Sequence, residues 1–388
     1  MTNARRQRTI LVSLPVITGA LLLINFLAVA QREQPRRAEV AEPSTTAVSP
    51  KTGKQLYMEA CAACHAADGS GVPADQLGFA GPMPDFTDCN FASREPDGDW
   101  VAVAHQGGPV RGFSRLMPAF GDALSVDQLQ KIMDYIRTMC RDDSWPRGEL
   151  NLPRPLVTEK AYPEDEAVLS SSIDAEGSGA VVNEFVYEQR FGSQSQLELV
   201  VPFGTRERLG TWSGGEIGDV ALGVKRAFYH NVSSGTIFSL TGEVILPTGD
   251  AGTEFGTGTT ILEPFASFGQ ILPAGGFIHA QAGAEFPWDH GAAEREAFFR
   301  GGLGKSIAQG RWGRTWSPMI EVLGSRALES GAATHWDLVP QMQITLNTRQ
   351  HVMLNVGARV PVDDPGRDTQ IMVYLLWDWF DGGFFEGW

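Results

Sequence analysis

From about Ala167 onward the chain alternates apolar and polar residues one by one, and this pattern restricts the fold more than any other feature. Val352, Leu354, Val356, Ala358 and Val360 alternate with Met353, Asn355, Gly357 and Arg359. Ile278, Ala280, Ala282, Ala284 and Phe286 alternate with His279, Gln281, Gly283 and Glu285. The segments run roughly 10–13 residues between turns such as Thr248-Gly249-Asp250 and Asp363-Asp364-Pro365-Gly366. Strands of soluble domains average about 5–6 residues, whereas a tilted strand crossing a bilayer needs about 9–11. A soluble barrel would also turn its apolar face inward. Here the opposite face carries Glu, Gln, Asp, Arg and small residues, which suits a wet barrel interior. Eleven segments lie between residues 180 and 380, and Ala167–Glu176 supplies the twelfth that an even-stranded barrel requires, with ten as the alternative count. The expectation is an all-β antiparallel transmembrane barrel of about 12 strands over residues 166–388, facing outer-membrane lipid. Trp316, Trp336, Tyr374, Trp377 and Trp379 are expected at its interfaces, and Phe384-Phe385-Glu386-Gly387-Trp388 closes the last strand.

The other end of the chain is an export signal. Arg5, Arg6 and Arg8 precede an apolar run from Thr9 to Ala30 that ends on Ala28-Val29-Ala30, the layout of a cleaved signal peptide over residues 1–30. An uncleaved membrane anchor is the alternative. Residues 31–50 are rich in Pro, Ala and charge without apolar periodicity, as in a flexible linker.

Cys61-Ala62-Ala63-Cys64-His65 is the most specific motif present. C-x-x-C-H is where a c-type haem is attached: the two thiols bond to the porphyrin and the adjacent imidazole ligates its iron. A zinc site would need two further soft ligands at short spacing, and a redox C-x-x-C has no use for the trailing His. Ser125 and Gln128 form a capping box, after which Leu129, Ile132, Met133 and Ile136 mark the apolar stripe of a helix. Cys89 and Cys140 remain, and in an oxidising compartment two leftover cysteines either pair or are buried as free thiols.

Residues 50–142 resemble a class I cytochrome c domain. The helix KTGKQLYMEA leads into the haem motif, the turn Asp68-Gly69-Ser70-Gly71 follows it, and Ala66 stands where the family usually has Gly. The resemblance implies a sixth ligand from a Met in the loop before the last helix. Met117, in Leu116-Met117-Pro118-Ala119-Phe120, occupies that place, with Met83, Met133, Met139 and His105 as rivals. The segment around Met83 resembles the family's proline loop. The β region is similar to outer-membrane barrels associated with phenol degradation and transport, through GDVALGVK (218–225), VILPTGD (244–250) and QIMVYLLWDWF (370–380). That likeness implies a pore of unstated permeant.

The chain thus divides into a small all-α cytochrome c domain (51–142), a Pro-rich, irregular and solvated connector (143–165) and the barrel. Alternation places Glu184, Glu188, Glu198, Asp219, Lys225, Glu243, Glu263, Glu285, Arg300, Glu321, Asp337 and Arg359 on the lumen face, as structural ion pairs or as a cation-preferring lining. The formal net charge is −15, which excludes a phosphate-gripping nucleic-acid binder. Most of that charge belongs to residues 161–388, with 14 basic against 28 acidic side chains. No catalytic triad or nucleophile elbow is present, so electron transfer fits better than substrate chemistry. The expected function is a mono-haem cytochrome, with one covalently attached haem c and its iron on His65 and Met117, carrying electrons in the periplasm at the barrel mouth to a periplasmic redox partner. The alternative is an outer-membrane pore for a small molecule or cation, whose haem domain senses redox state or reduces the permeant.

Overall fold

The computed structural model describes residues 50–388 except 79–82, 176–178, 209, 213, 254, 365 and 380–388. The expected signal peptide, most of the linker and the closing aromatic segment lie outside the described residues.

The helical part begins with α1 (Gly53–Ala60) and α2 (Ala62–His65), continues through α3 (Ala74–Leu77), α4 (Cys89–Ala92) and α5 (Asp97–Gln106), and ends with α6 (Val126–Arg137). Both α1 and α6 start on capping boxes, Thr52 with Gln55 and Ser125 with Gln128. Each box satisfies two N–H groups that a helix start otherwise leaves open. The stripe Leu129, Ile132, Met133 and Ile136 is buried against Leu56 and Tyr57 of α1 and Val101 and Ala104 of α5. A disulfide joins Cys89 in α4 to Cys140 beyond α6, 51 residues away. Closing a loop of that length removes unfolded-state entropy worth about 4 kcal/mol in the chain-entropy model, with about 2–4 more usual in practice. Replacing both cysteines by Ala should therefore lower the stability of this domain by about 2–4 kcal/mol, read as a shift of its denaturant midpoint.

Twelve long strands follow: β1 (Glu166–Asp174), β2 (Ala180–Phe191), β3 (Ser195–Arg208), β4 (Val220–Asn231), β5 (Thr236–Leu246) and β6 (Ile261–Ile271), then β7 (Gly276–Pro287), β8 (Glu296–Lys305), β9 (Thr315–Ala327), β10 (His335–Thr345), β11 (Val352–Pro361) and β12 (Gln370–Asp378). Each pairs antiparallel with the next, and β1 pairs β12 from Glu166↔Asp378 to Asp174↔Gln370, so the sheet closes without an edge. Closure leaves the sheet no open edge, which a strand structure needs in lipid. Outward positions such as Leu222, Val224, Leu262, Phe299, Leu303, Ile320, Val322 and Val356 are exposed, while their alternate neighbours face the lumen. The twelfth strand inferred at Ala167–Glu176 is β1.

The connections sort by end. Residues 192–194, 232–235, 272–275, 306–314 and 346–351 turn on the side where the helical domain sits. Those at 175–179, 209–219, 247–260, 288–295, 328–334 and 362–369 turn on the far side and are mostly longer. Trp316 and Trp336 face outward near opposite ends of the wall and are about two-fifths exposed. Tyr374 corrects the expected aromatic belt. It faces the lumen, almost fully buried, because it lies an odd number of residues from outward Leu375 and Trp377.

The connector needs a larger correction. It is irregular as expected, apart from a 3-10 turn at Gly148–Leu150, but it is not a solvated strap. Leu150, Leu152, Arg154, Thr158, Lys160 and Ala161 to Glu166 are buried because the segment enters the barrel and packs on its lumen face. Leu150, Ala161 and Tyr162 pack on Ala227 and Ile237, and Leu152 packs on Phe277 and Met319. Leu156 packs beside Val168, Val186, Tyr374 and Leu376. Having no ladder of its own, the segment sends its backbone groups to lumen side chains, as buried amides must. The N–H of Leu156 donates to Gln341 (2.9 Å), that of Thr158 to Glu321 (2.6 Å), that of Glu159 to Gln281 (3.1 Å) and that of Glu164 to Gln196 (2.7 Å).

Candidate haem site and its seat on the barrel

Cys61 ends α1, and α2 carries Cys64 and His65 on the same turn. The His65 N–H donates to the Cys61 carbonyl at 2.9 Å. Both thiols are free and half-buried, while the other two cysteines of the chain are joined to each other. The chain leaves this turn through Ala66 at φ 61° and Gly69 at φ 87°, and the Gly71 N–H returns to the His65 carbonyl at 3.1 Å. Tyr57 clamps the exit by donating to the carbonyls of His65 and Ala66 at 3.1 and 2.7 Å. The His65 ring stacks on Phe86 with centroids 4.9 Å apart, and its Nδ1 is buried without a hydrogen-bond partner. Burial pushes the His65 pKa down to about 4, so the imidazole is neutral with a lone pair to offer a metal.

Met117 lies in an exposed loop but is itself half-buried against the cluster that holds Cys61, Phe86 and Trp100. Two bonds fix that loop. The Gly108 N–H donates to the Met117 carbonyl at 3.0 Å, and the Phe120 N–H donates to the Ala104 carbonyl at 2.9 Å. The rival sulfurs are otherwise engaged. Met133 is core, and the Met139 sulfur lies where a Cβ on Gly69 would go. Met83 packs beside Gly71, and the His105 ring lies over Gly121. Two free thiols, a neutral imidazole and a thioether around one apolar core fit a covalently attached haem.

The helical domain rests on the near mouth of the barrel through named contacts. Trp312, in the β8–β9 turn, packs against the same core cluster, 5.7 Å from the His105 ring, and its carbonyl accepts from Arg111 at 2.8 Å. His351, in the β10–β11 turn, lies between Glu95 (2.8 Å) and Asp378 (3.1 Å). Arg94 pairs with Asp165, Arg349 stacks over Phe113 at 4.7 Å, and Ser144 bonds Ser193 at 2.8 Å.

The expected lumen residues fall into four groups. Glu188, Lys225 and Glu321 hold the connector segment together with Arg154 and Lys160, which composition alone did not single out, while Glu198 accepts from Gln196 at 3.2 Å. Arg154 reaches Glu166 (2.7 Å), Glu188 (3.0 Å) and Glu159 (2.9 Å), and Lys225 reaches Glu159 at 3.1 Å. Asp337 and Arg359 pair at 2.6 Å, with Arg367 as a second partner, so they brace the wall. Asp219 lines no pore. It precedes β4 and ties a far-end loop by accepting from Gly249 (2.9 Å) and Thr257 (2.7 Å). Glu184, Glu243, Glu263, Glu285 and Arg300 share the strand face opposite the apolar exterior, and Arg300 donates to Gln281 at 3.3 Å. Among the described residues no helix is long and apolar enough to cross a membrane, which says nothing of the strands.

Residues 48–136 match the family model of cytochrome C oxidase, cbb3-type, subunit III, so the helical part carries a c-type cytochrome domain. No curated protein matches the chain. Among solved structures, an outer-membrane channel from Pseudomonas putida F1 is 12% identical, covering 58% of this chain and 100% of its own, with a TM-score of 0.43. The NanC porin is 8% identical, over 55% of this chain and 98% of its own, with a TM-score of 0.39. The KdgM porin in complex with disordered oligogalacturonate is 9% identical, over 55% and 99%, with a TM-score of 0.38.

Proposed function

We propose that this protein is an outer-membrane barrel bearing a periplasmic mono-haem cytochrome c, which exchanges electrons with a periplasmic redox partner at the barrel mouth. The observation that carries the reading is that Cys61 and Met117 pack on one apolar core, with His65 stacked on its Phe86 and Cys64 on the same turn as His65, and that Trp312 of a near-end turn packs on the same core. The closed wall, its exposed apolar exterior and the short near-end turns support an outer-membrane site with that end in the periplasm. A haem held there would supply one-electron chemistry; Cys61 and Cys64 would bond it covalently, and His65 and Met117 would hold its iron, a donor pair that raises the potential. The protein's own share is positional. Phe86 and the Tyr57 clamp fix the His65 turn, Gly108 and Ala104 fix the Met117 loop, and Trp312 anchors the assembly on the barrel.

One haem at one end cannot by itself span an apolar band about 25 Å tall. The connector segment bonded to lumen side chains stands in the path of a diffusible mediator, so the reading is a carrier docked at the barrel mouth rather than a wire. The test uses the full-length holoprotein in liposomes with the haem domain outside. Dithionite-reduced protein should be reoxidised by ferricyanide added outside and not by ferricyanide trapped inside; oxidation from inside overturns the one-sided reading. Met117→Ala should abolish the far-red sulfur-to-iron band and lower the midpoint potential, while Met83→Ala should leave both unchanged. An unaltered M117A spectrum would reassign the sixth ligand.

A further inference from the structure

The loop that carries Met117 leaves α5 at Gly107, and its return is bonded to the end of the same helix. The Phe120 N–H donates to the Ala104 carbonyl at 2.9 Å and the Gly121 N–H to the His105 carbonyl at 3.0 Å. Between these ties the loop closes on itself. The Gly108 N–H donates to the Met117 carbonyl at 3.0 Å, and the Phe113 N–H to the Gly108 carbonyl at 2.9 Å. The backbone crosses closely enough to need glycine: a Cβ on Gly108 would lie 2.2 Å from the Ser114 carbonyl oxygen, and one on Gly107, at φ 83°, would lie 3.0 Å from that of Met117. These bonds make the loop one piece, so what holds its middle also holds Met117.

Two separate barrel turns hold that middle. In the β8–β9 turn, the Trp312 carbonyl accepts from Arg111 at 2.8 Å. The Trp312 ring lies 5.7 Å from the His105 ring and packs on the same apolar cluster as Met117 and Phe120. Arg111 is itself buried and donates to Asp99 of α5 at 2.7 Å, so one guanidinium joins the loop to its own domain and to the wall. In the β10–β11 turn, Arg349 lies over the Phe113 ring at 4.7 Å, and a Cβ on Gly112 would touch its side chain at 3.5 Å. The other seat contacts engage different segments: Glu95 with His351, Arg94 with Asp165 and Ser144 with Ser193. The hold on the loop is therefore separable from the seating of the domain. Surface loops open locally at much lower cost than a packed core. A small ligand that competes for the place of Met117 binds with an apparent affinity proportional to the fraction of open loop.

We propose that Trp312 and Arg349 are positioning residues for the sixth ligand of the haem iron: through them the barrel keeps the Met117 loop shut. The proposal rests on the haem ligation proposed above. It makes the wall part of the control of the redox site, favouring a carrier with both axial positions filled over one open to small ligands.

The experiment titrates ferric, detergent-solubilised full-length holoprotein with imidazole and follows loss of the far-red sulfur-to-iron band. Haem content and heat-modifiable gel mobility are measured on every variant. Trp312→Ala should bind imidazole about tenfold more tightly than the parent, as a loop freed to open does. Arg349→Ala should shift the affinity the same way by a smaller factor, and Trp312→Phe, which keeps an aromatic ring, should return most of the way to the parent. Ser193→Ala, which removes a seat contact away from the loop, and Trp316→Ala on the outer wall should bind as the parent does. Haem-replete W312A with unchanged imidazole affinity, or S193A with an equal gain, overturns the positioning role and leaves the electron-transfer reading intact. If W312A fails to hold haem, R349A decides, and an unchanged affinity there overturns the proposal. A parent without the sulfur-to-iron band overturns the Met117 ligation and this proposal with it.

Discussion

Arg154→Ala should turn a closed barrel into a conducting one. Arg154 is the hub of the lumen segment. Its guanidinium reaches Glu166, Glu188 and Glu159, and its carbonyl accepts from Tyr374 at 2.5 Å and Asn355 at 3.4 Å. Glu188 is fully buried. Truncating the arginine leaves Glu188 with Lys225 at 4.0 Å as its nearest remaining cation. Removing one member of a buried charge network costs about 3–5 kcal/mol, because the charges left behind have lost their compensation. That shifts an in/out equilibrium of the segment by about two to four powers of ten toward withdrawal. In planar bilayers the parent should pass little current and R154A should show frequent openings, with Arg154→Lys in between. A silent R154A that keeps its barrel would show that apolar packing through Leu150, Leu152 and Tyr162 suffices to hold the segment.

Cys61→Ser/Cys64→Ser should abolish electron transfer while sparing the barrel. Without either thiol no covalent bond to haem forms, so haem absorbance should vanish from the denatured polypeptide band and reoxidation by ferricyanide should fall to background. The helical domain should lose stability too, since Cys61, Phe86 and Met117 border a core meant to be shared with the porphyrin. The barrel has its own contacts and should retain its heat-modifiable gel mobility. Haem still covalently bound in the double variant would refute the attachment assignment.

How far the sequence could be read followed from which forces were local. Strand alternation is local, so the twelve strands and their inward faces were visible to within a few residues, β1 included. The capping box at Ser125 and the stripe on α6 are local as well. Two misreadings have plain causes. Tyr374 shares the aromatic character of Trp377, but residues three apart on a strand face opposite ways. Asp219 shares the parity of Lys225 but stands one residue before β4 begins, where parity no longer applies. The connector was not legible at all. Nothing in residues 143–165 has a period, and the burial of Thr158 depends on Glu321, 163 residues away. Its dense mixture of Arg154, Glu159, Lys160, Glu164, Asp165 and Glu166 reads equally well as solvated charge until the wall around it is known.

Closing the wall joins β1 to β12, so Glu166 meets Asp378 across nearly the full length of the barrel sequence. Pairings that distant are slow, because the chain must lose loop entropy before any contact rewards it. The segment just before β1 lies on the path of the late strands and offers them partners: His279 on β7, Glu321 on β9, Gln341 on β10, Asn355 on β11 and Tyr374 on β12. The segment in the finished lumen thus cross-links the late strands from within, tying each of them to the chain just before β1.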